Sequence, residues 1–394
     1  MSSMRESRGL KMQTGKRAIL IGMAFWASFV PVCWGEGDDA VLSGRHLLQA
    51  VRDSSPTRGE RLPTAMELLE KYAETQDKLG QSFRIATETT GRGATNHPVT
   101  PPRFKGKTRY TVTHSELCCE GSRMSVRLHR WLNLVRLPDK PLGRKHNSYN
   151  YMRQLWDGKL AWGYGSGPGG HMGRISVNAG IDAEEELTIA RSYESVMMGY
   201  FSGDSERVDG ILGRCHGVSV RSQTETVGKW ECHVIDADTK HGKYTLWIDP
   251  SHGHNIARAD IQKRQGDVAY GKRMEAGMSA SSFYRVLQFE QVGGIWLPME
   301  GELEGQLKWG GGYFSGGKSH IKRTSVILDP NHNTLGSFVL DEVPNGAKVL
   351  IVGLPTEIAY TWREGEVVDA NGLKVDLEKL EVERKRAERR RKRK

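Results

Sequence analysis

Residues 240–266, KHGKYTLWIDPSHGHNIARADIQKRQG, predict an antiparallel hairpin in the middle of the chain. Side chains alternate along its first arm, so Tyr244, Leu246 and Ile248 share one face, which is typical of a half-buried strand. Residues 249–253, DPSHG, supply the turn: proline presets φ, aspartate caps the backbone and glycine accepts a positive φ. The second arm is more charged and returns beside the first. Similar strand-like segments before and after it indicate a protein rich in β structure.

Two segments have the apolar spacing of amphipathic helices. The first is expected at residues 63–80, where a Thr-x-x-Glu capping box opens the repeat. The second is expected at residues 182–203, and its buried stripe includes Tyr193, Met197 and Tyr200. About a dozen strands accompany these helices. The fold class is therefore α+β, most simply a curved antiparallel sheet with helices on its concave side.

The first 35 residues have the organisation of an export signal. Five basic residues precede an apolar run at residues 18–32, and a polar segment follows. The run is shorter than the roughly 20 residues that span a bilayer, which favours cleavage after Gly35 and a periplasmic or envelope-associated protein. Two alternatives to cleavage remain open. One is lipid attachment through Cys33, and the other is an uncleaved membrane anchor. Residues 36–62 are then a polar linker.

The net charge of +10 is concentrated at the two ends of the chain. Residues 1–17 hold five basic side chains and one acidic one, and residues 384–394 hold nine basic side chains and Glu388. The stretch between them has a small negative charge, so a folded face for nucleic acid is not indicated. Residues 377–394 are interpreted as a helix-prone to disordered tail that is dispensable for folding. A more specific hypothesis is that this tail contacts an anionic envelope surface.

Four cysteines remain after cleavage, and an exported chain usually keeps such thiols oxidised. Strands are predicted from Val208 onward, and Cys215 and Cys232 lie on two strand-like segments, residues 211–220 and 229–237, that are joined by a polar loop. If this loop is centred near Thr224, the two cysteines stand opposite each other, and a disulfide between them is predicted. The adjacent Cys118 and Cys119 are not expected to bond each other.

The sequence contains no motif that firmly indicates catalysis. Residues 165–170 match the glycine pattern of a dinucleotide loop, but no helix follows that could hold a phosphate. Cys-His pairs at residues 215–216 and 232–233, with His252 and His254, leave a zinc site open. Adjacent residues on a strand face opposite sides, so each pair offers one ligand to a given side. The disulfide is therefore preferred, and neither a metal nor a cofactor is predicted.

The order of these elements resembles the LolA-like superfamily of exported outer-membrane lipoprotein-sorting proteins. The resemblance rests on the pattern LLxxY at residues 68–72, on the second helix and on the hairpin GKYTLWIDP at residues 242–250. It extends over residues 63–328. The chain is similar in particular to long members of this superfamily from planctomycete-type bacteria, which share the strand that contains WLP at residues 296–298.

The resemblance implies an incomplete β-barrel wrapped around helices, with an apolar cavity that holds acyl chains. It divides the chain into a half-barrel domain at residues 63–330, a C-terminal β extension at residues 331–376 and the tail. The second helix would face the hairpin, and the side chains between them would either line the cavity or fill a core. These candidate cavity residues are Tyr193, Met197, Tyr200, Tyr244, Leu246 and Ile248.

Three functions fit these observations. The first is an exported, non-enzymatic carrier or sensor of acyl chains or lipoproteins in the cell envelope. The second is a structural or interaction protein of the envelope that has the same fold but a filled cavity. The third is a secreted hydrolase or metalloprotein whose site the sequence does not reveal.

Overall fold

The structure, a computed structural model, describes residues 62–79, 81–167, 174–178, 195–269, 272–351, 359–377 and 379–380. The proposed export signal and linker lie outside the described residues. So do Tyr193 with most of the predicted second helix, and the basic part of the tail. Within the described part, no helix has the length and apolar character needed to cross a membrane.

Short helices and long strands make up this part of the chain. The α-helices are α1 (Ala65–Leu79), α2 (Val208–Leu212) and α3 (His332–Leu335). One-turn 3-10 helices lie at Pro102–Phe104, Ser195–Met198, Pro250–His252 and Gly310–Gly312. The strands are β1 (Ser82–Thr95), β2 (Arg109–Glu120), β3 (Arg123–Leu134), β4 (Tyr149–Trp156), β5 (Ala161–Ser166), β6 (Arg174–Asn178), β7 (Ser219–Val220), β8 (Glu225–Val227), β9 (Trp230–Thr239), β10 (Gly242–Asp249), β11 (Asn255–Arg264), β12 (Val268–Ala269), β13 (Lys272–Arg273), β14 (Ser279–Val292), β15 (Ile295–Trp309), β16 (Tyr313–Leu328), β17 (Lys348–Ile351), β18 (Tyr360–Arg363) and β19 (Glu366–Val368).

All strands except β12 and β13 belong to one open sheet. Its spatial order is β19-β18-β17-β6-β5-β4-β3-β2-β1-β16-β15-β14-β11-β10-β9, and β7 and β8 pair with the free side of β9. Every described pairing is antiparallel except that of β6 with β17. The fold is therefore mostly antiparallel sheet with few helices. Strands β17 to β19, in the proposed C-terminal extension, continue the same sheet.

Helix α1 and the central hairpin form as the sequence predicts. The capping box is closed in both directions, because Thr64 N donates to Glu67 Oε2 (2.6 Å) and Glu67 N donates to Thr64 Oγ1 (3.2 Å). In the hairpin, Asp249 accepts a hydrogen bond from Ser251 N, and Gly253 has a φ of +69°. Short-range chemistry is sufficient to explain both elements.

The prediction for the second helix is wrong at its described end. Residues 195–198 form a single 3-10 turn, and the chain is not helical from Tyr200 to Gly203. A short helix follows at α2, where the sequence predicts a strand. Val208, Ile211 and Leu212 of α2 are spaced by one helical turn and are buried, so packing against the core explains the helix.

The predicted disulfide is also contradicted. Cys215 and Cys232 are free thiols, and Glu225 is the residue opposite Cys232. The turn of this hairpin lies at Gly228, which has a φ of +63°, and not near Thr224. Cys215 lies in the turn after α2, where its Sγ donates to Ile211 O at 3.2 Å. The register therefore differs from the predicted one, and the disulfide has no geometric basis.

Three clusters of buried hydrophobic side chains support the sheet. The first cluster lies between α1, α2 and the strands β9, β10, β11 and β14. The second cluster lies on β3, β4 and β5 and includes side chains of β17, β18 and β19. The third cluster, at the end of α1, joins β1, β2, β3 and β15. Full burial of one such large side chain stabilises the fold by roughly 1.5–3 kcal/mol.

Polar contacts attach the segment between β16 and β17 to the sheet. Arg153 of β4 is 1% exposed, and its Nη2 donates to Ser337 O at 2.7 Å. Arg127 of β3 donates to Asp341 at 3.0 Å. Two backbone carbonyls of this segment, Ser337 O and Val339 O, accept from Nη2 of the buried Arg153 guanidinium. Residues 337–341 are thus part of the folded unit.

Candidate functional site

The predicted cavity residues separate into two groups. Met197, Tyr244, Leu246 and Ile248 belong to the first cluster and are 3%, 1%, 0% and 0% exposed, respectively. Tyr200 instead packs against the third cluster, and the sixth residue, Tyr193, lies outside the described residues. The structure therefore brings four of the six predicted residues together and places them in a closely packed core.

A buried polar group lies beside this core. Lys263 Nζ donates to Asp204 Oδ1 at 2.5 Å and to Val268 O at 2.9 Å, and Tyr244 Oη donates to Asp204 Oδ2 at 2.9 Å. Burial raises the pKa of Asp204 to about 6, although Lys263 and Tyr244 act in the opposite direction. Burial and the neighbouring Asp204 also raise the pKa of Tyr244. The hydrogen bonds of Asp204 with Lys263 and Tyr244 attach the segment before α2 to the hairpin, so these three residues have a structural role.

The hairpin turn contains an Asp, a Ser and a His in contact, so it is the place to test the hydrolase hypothesis. Asp249 Oδ2 is 2.6 Å from His252 Nδ1, and Ser251 Oγ is 3.0 Å from the same nitrogen. In a catalytic triad the carboxylate and the hydroxyl meet different ring nitrogens. The His252 ring also stacks on Phe289, with centroids 5.0 Å apart. The arrangement caps a turn and does not form a proton relay.

The same turn is tied to α1 by a chain of amide and hydroxyl groups. Asn255 Nδ2 donates to Trp296 O at 2.7 Å, and its Oδ1 accepts from Gln76 Nε2 at 2.8 Å. Thr75 Oγ1 donates to Gly253 O at 2.7 Å. These bonds satisfy buried polar atoms and fix the angle between helix and sheet. Across the described ranges, no three His, Cys, Asp or Glu side chains come together in a geometry that could hold a metal ion.

Several connections lie at one end of the sheet, including the β9–β10 turn and the segment from β11 to β14, which contains both acidic and basic residues. Three of them belong to neighbouring strands and join β1 to β2, β3 to β4 and β15 to β16. The strands concerned are neighbours, because Thr95 lies opposite Ser315 and Tyr110 lies opposite Leu134. Together these connections and the strand ends that carry them form a surface that we call the basic end. It comprises residues 92–109, 135–148 and 305–318.

Basic side chains dominate this surface. Residues 92–109 contain five basic and no acidic side chains, residues 305–318 contain two basic and no acidic ones, and residues 135–148 contain four basic side chains and Asp139. The chain between its two charged termini is slightly negative, so the concentration of positive charge here is local. Such a patch attracts anions by summed Coulomb fields.

A pocket of about 500 Å³ lies at the basic end, and Gly277, just before β14, and Ser279, at its start, complete the wall. Aromatic side chains supply much of its wall, and Lys308 and Gln306 add polar groups. Its volume lies within the range of about 300–1,000 Å³ of small-molecule sites, but the pocket is an open groove, because Lys308, Gly312 and Tyr313 in its wall are exposed. The lining residues are Ala94, Gly106, Gly277, Ser279, Gln306, Lys308, Trp309, Gly312, Tyr313 and Phe314.

Neighbouring groups hold the aromatic wall in place. The His97 ring meets the Trp309 ring edge-on, with centroids 4.7 Å apart, and burial together with Lys105 lowers the pKa of His97. Asn96 accepts from Phe314 N at 2.6 Å and donates to Gly312 O at 3.1 Å. The side chains of the loop after β1 thus position the β15–β16 turn.

The sequence alone did not reveal this site. A glycine-rich stretch with three aromatic residues is visible at residues 307–317, and the run of basic residues without acidic ones at residues 92–109 is a compositional signal. These stretches are more than 190 positions apart in the chain. Only the pairing of β1 with β16 brings them to one end of the sheet.

No protein-family model matches this chain, and no curated protein matches its sequence. Among solved structures, a DUF1329 family protein from Desulfovibrio piger aligns with 67% of this chain and 92% of its own, at 10% identity and a TM-score of 0.36. MucB in complex with MucA(peri) aligns with 67% of this chain and 98% of its own, at 8% identity and a TM-score of 0.20. Scores this low establish neither a shared fold nor a shared function. The resemblance to the LolA-like superfamily stays a prediction.

Proposed function

We propose that this chain is an exported, non-enzymatic protein of the cell envelope that binds an acyl chain with an anionic head group, as a carrier or sensor. The observation that carries the proposal is the pocket of about 500 Å³ at the basic end. The proposed site differs from the cavity expected from the sequence, because the expected residues are packed in the first cluster.

The wall of the pocket suits an apolar chain. Trp309, Tyr313 and Phe314 offer broad ring faces, and Ala94 adds a small apolar surface behind them. Transfer of apolar area from water to such a wall contributes roughly 25 cal/mol per Å². Gly106, Gly277 and Gly312 add backbone without side-chain bulk, which leaves room for a flexible ligand.

The polar side of the pocket favours an anionic head group. Lys308 lies in the lining, and no carboxylate does. The surrounding residues 92–109 contain no acidic side chain either, so a cationic head group would meet uncompensated repulsion. A carboxylate or phosphate placed at the mouth of the pocket would be attracted by the same charges.

The described geometry supports a binding role over a catalytic one. The Asp249, His252 and Ser251 cluster lacks the arrangement of a relay. The pocket lining contains Ser279, Lys308 and Tyr313, but no histidine, cysteine or carboxylate that would activate them as a nucleophile or base.

A second candidate is a structural or interaction protein of the envelope. It is favoured by the complete burial of Leu246 and Ile248, which leaves the expected cavity filled. In that case the full-length protein would bind no acyl chain, and the pocket at the basic end would stay empty of lipid.

The proposal is tested by native mass spectrometry of the full-length protein and by titration with palmitate. A Ser279→Trp variant fills the pocket, and we expect it to lose palmitate binding by at least about tenfold. Gln288→Trp places the same bulky side chain on an exposed position of β14 outside the lining, and it should bind as the unmodified protein does. Equal affinity in all three proteins, or no binding by the unmodified protein, would overturn the proposal and favour the second candidate.

A further inference from the structure

The basic end also exposes hydrophobic side chains. Eleven large hydrophobic side chains are clearly exposed in the described part, and four of them lie in its connections. Val99 is 51% exposed, Val135 77%, Leu137 41% and Tyr313 40%. These side chains lie on neighbouring connections at one end of the sheet, and exposed apolar groups on the same side of a protein can mark an interaction surface.

Positive charges surround these apolar groups. Arg103, Lys105 and Lys107 are exposed in the same connection as Val99, and Arg136 and Lys140 are exposed in the same connection as Leu137. The guanidinium groups of Arg103 and Arg109 lie over the Phe104 ring, 4.7 and 5.1 Å from its centroid. Arginine and lysine stems that cover apolar surface while their heads remain in water are suited to a boundary between oil and water.

The other end of the sheet has a different character. Its turns hold three acidic and three basic side chains, so their charges balance. These turns lie at residues 120–123, 157–160, 228–229, 249–254 and 293–294. Charge and exposed apolar groups therefore distinguish the two ends of one sheet, which gives the molecule an electrostatic polarity along its strands.

We infer that the basic end is a docking surface for an anionic lipid bilayer. Charge complementarity identifies the partner: juxtamembrane Lys and Arg contribute about 1 kcal/mol each near an anionic leaflet. Trp309 and Tyr313 are the residue types that settle at the membrane interface. The aliphatic Val99, Val135 and Leu137 insert among acyl chains at shallow depth, as amphipathic surface elements do.

Other polyanions fit this surface less well. Nucleic acid would use the lysines, arginines and aromatic rings of this surface for phosphate contacts and base stacking, but it offers nothing apolar to the exposed Val99, Val135 and Leu137. An acidic protein partner would need a continuous complementary face, whereas these apolar groups lie on separate connections of the sheet. The inference goes beyond the proposed function and stands without it. If both hold, docking places the pocket beside the membrane from which an acyl chain would come.

The experiment is cosedimentation of the full-length protein with vesicles of phosphatidylcholine, with and without phosphatidylglycerol, at low and at high salt. The unmodified protein should partition onto the anionic vesicles and be released by salt, because exposed charges are screened within about 10 Å at moderate salt. A double variant, Lys105→Glu with Lys107→Glu, should partition at least about tenfold more weakly. Lys229→Glu changes an exposed lysine at the opposite end and should leave partitioning unchanged.

Leu137→Asp tests the apolar contribution separately from the basic one. It should weaken partitioning at low salt and also remove the fraction that remains bound at high salt. Since Leu137 is 41% exposed, this change should leave the unfolding transition in place. Circular dichroism of each variant verifies that the fold is kept.

The basic tail is the main competing explanation for vesicle binding. If both loop variants bind as the unmodified protein does while removal of residues 381–394 abolishes binding, the inference is wrong and the tail is the anchor. If the protein binds a single-stranded oligonucleotide as tightly as anionic vesicles, and the loop variants weaken both equally, the surface is a general polyanion site and the inference is also overturned.

Discussion

Lys263 Nζ lies 2.5 Å from Asp204 Oδ1, and both side chains are shielded from solvent, at 0% and 1% exposure. Asp204 precedes α2, whereas Lys263 is on β11, so the ion pair joins a connecting segment to the sheet. Tyr244 donates a further hydrogen bond to the carboxylate. The ion pair and this hydrogen bond therefore attach the segment before α2 to the two strands of the central hairpin, β10 and β11.

We expect Lys263→Met to destabilise the protein by about 3–5 kcal/mol, because Asp204 would be left as a buried charge without its partner. The double variant Lys263→Met with Asp204→Asn should recover part of this loss. Urea unfolding followed by circular dichroism gives the three free energies. Lys243→Met is the matched control, because Lys243 is 56% exposed and pairs with Asp238 on the surface at 3.5 Å. Equal losses in Lys263→Met and Lys243→Met would contradict the burial of the pair.

His129 should make stability depend on pH. Burial, followed by Arg144 and Arg127, lowers its pKa to about 4, and its Nδ1 lies 2.7 Å from Tyr149 Oη. The unfolded imidazole has a pKa of about 6.5, so it takes up a proton before the folded one does as the pH falls. The contribution of the neutral His129 to the free energy of unfolding is therefore complete above about pH 6.5, and it is lost as the pH falls from about 6.5 to 4.

The change contributed by His129 should stay below about 3 kcal/mol, because the half-buried ring is partly screened by water. Unfolding free energies at several pH values check this. His129→Gln has no imidazole at this position, so the unmodified protein should lose stability relative to it on acidification. Parallel pH curves for the two proteins would contradict the lowered pKa.

Met197 and Met66 form a matched pair for testing the first cluster. Met197 is 3% exposed, whereas Met66 on α1 is 42% exposed. Met197→Asp should destabilise the protein by several kcal/mol, since a carboxylate would be buried without a partner (roughly 3 kcal/mol or more). Met66→Asp should change stability by less than about 0.5 kcal/mol. Thermal unfolding of both variants measures the difference, and similar midpoints would refute the buried position of Met197.

The two cysteines of the expected disulfide should react differently with iodoacetamide. Cys215 is half-buried in a turn, whereas Cys232 is 0% exposed and burial raises its pKa to about 12. Because the thiolate is the reactive form, Cys215 should be alkylated in the native protein and Cys232 only after unfolding. Peptide mapping without reductant reads both positions. A linked pair of peptides would instead restore the predicted disulfide and refute the described register.

The part of the tail that folding does not need should begin after Leu380. Leu377 and Leu380 pack against the second cluster, so removal of residues 377–394 should lower the unfolding free energy by about 1–2 kcal/mol. Removal of residues 381–394 alone should leave it unchanged. Thermal midpoints of the two truncated proteins and the full chain distinguish the outcomes, and equal midpoints in all three would show that the leucines contribute nothing.

Elements that form through nearby residues could be predicted from the sequence. Thr64 and Glu67 close a capping box across three positions, and the alternation around Tyr244 describes a strand whichever neighbours it later acquires. Two predictions were wrong: that the second helix continues to residue 203, and that a strand forms where α2 lies. Packing of Val208 and Ile211 into the first cluster, which no local pattern reports, favours a helix there.

Features that depend on strand register or on pairing between distant segments could not be predicted in this way. They include the pairing of the two cysteines and the candidate site. Cys215 and Cys232 were assigned to opposite positions because the turn was expected near Thr224, and a turn at Gly228 changes every pair in that hairpin. The basic end depends on the opposition of Thr95 and Ser315, two positions far apart in the chain.

By itself, the sequence determined the β-rich character, helix α1, the central hairpin and the separation of charge between the termini and the body. The physical reason is that capping, alternation and composition act over a few residues or need no geometry at all. Only the tertiary structure decided the register of β8 and β9, the filled core behind Tyr244 and the gathering of Lys105, Trp309 and Val135 at one end of the sheet. Those features depend on long-range strand pairing, in which a shift of one residue turns each side chain to the opposite face.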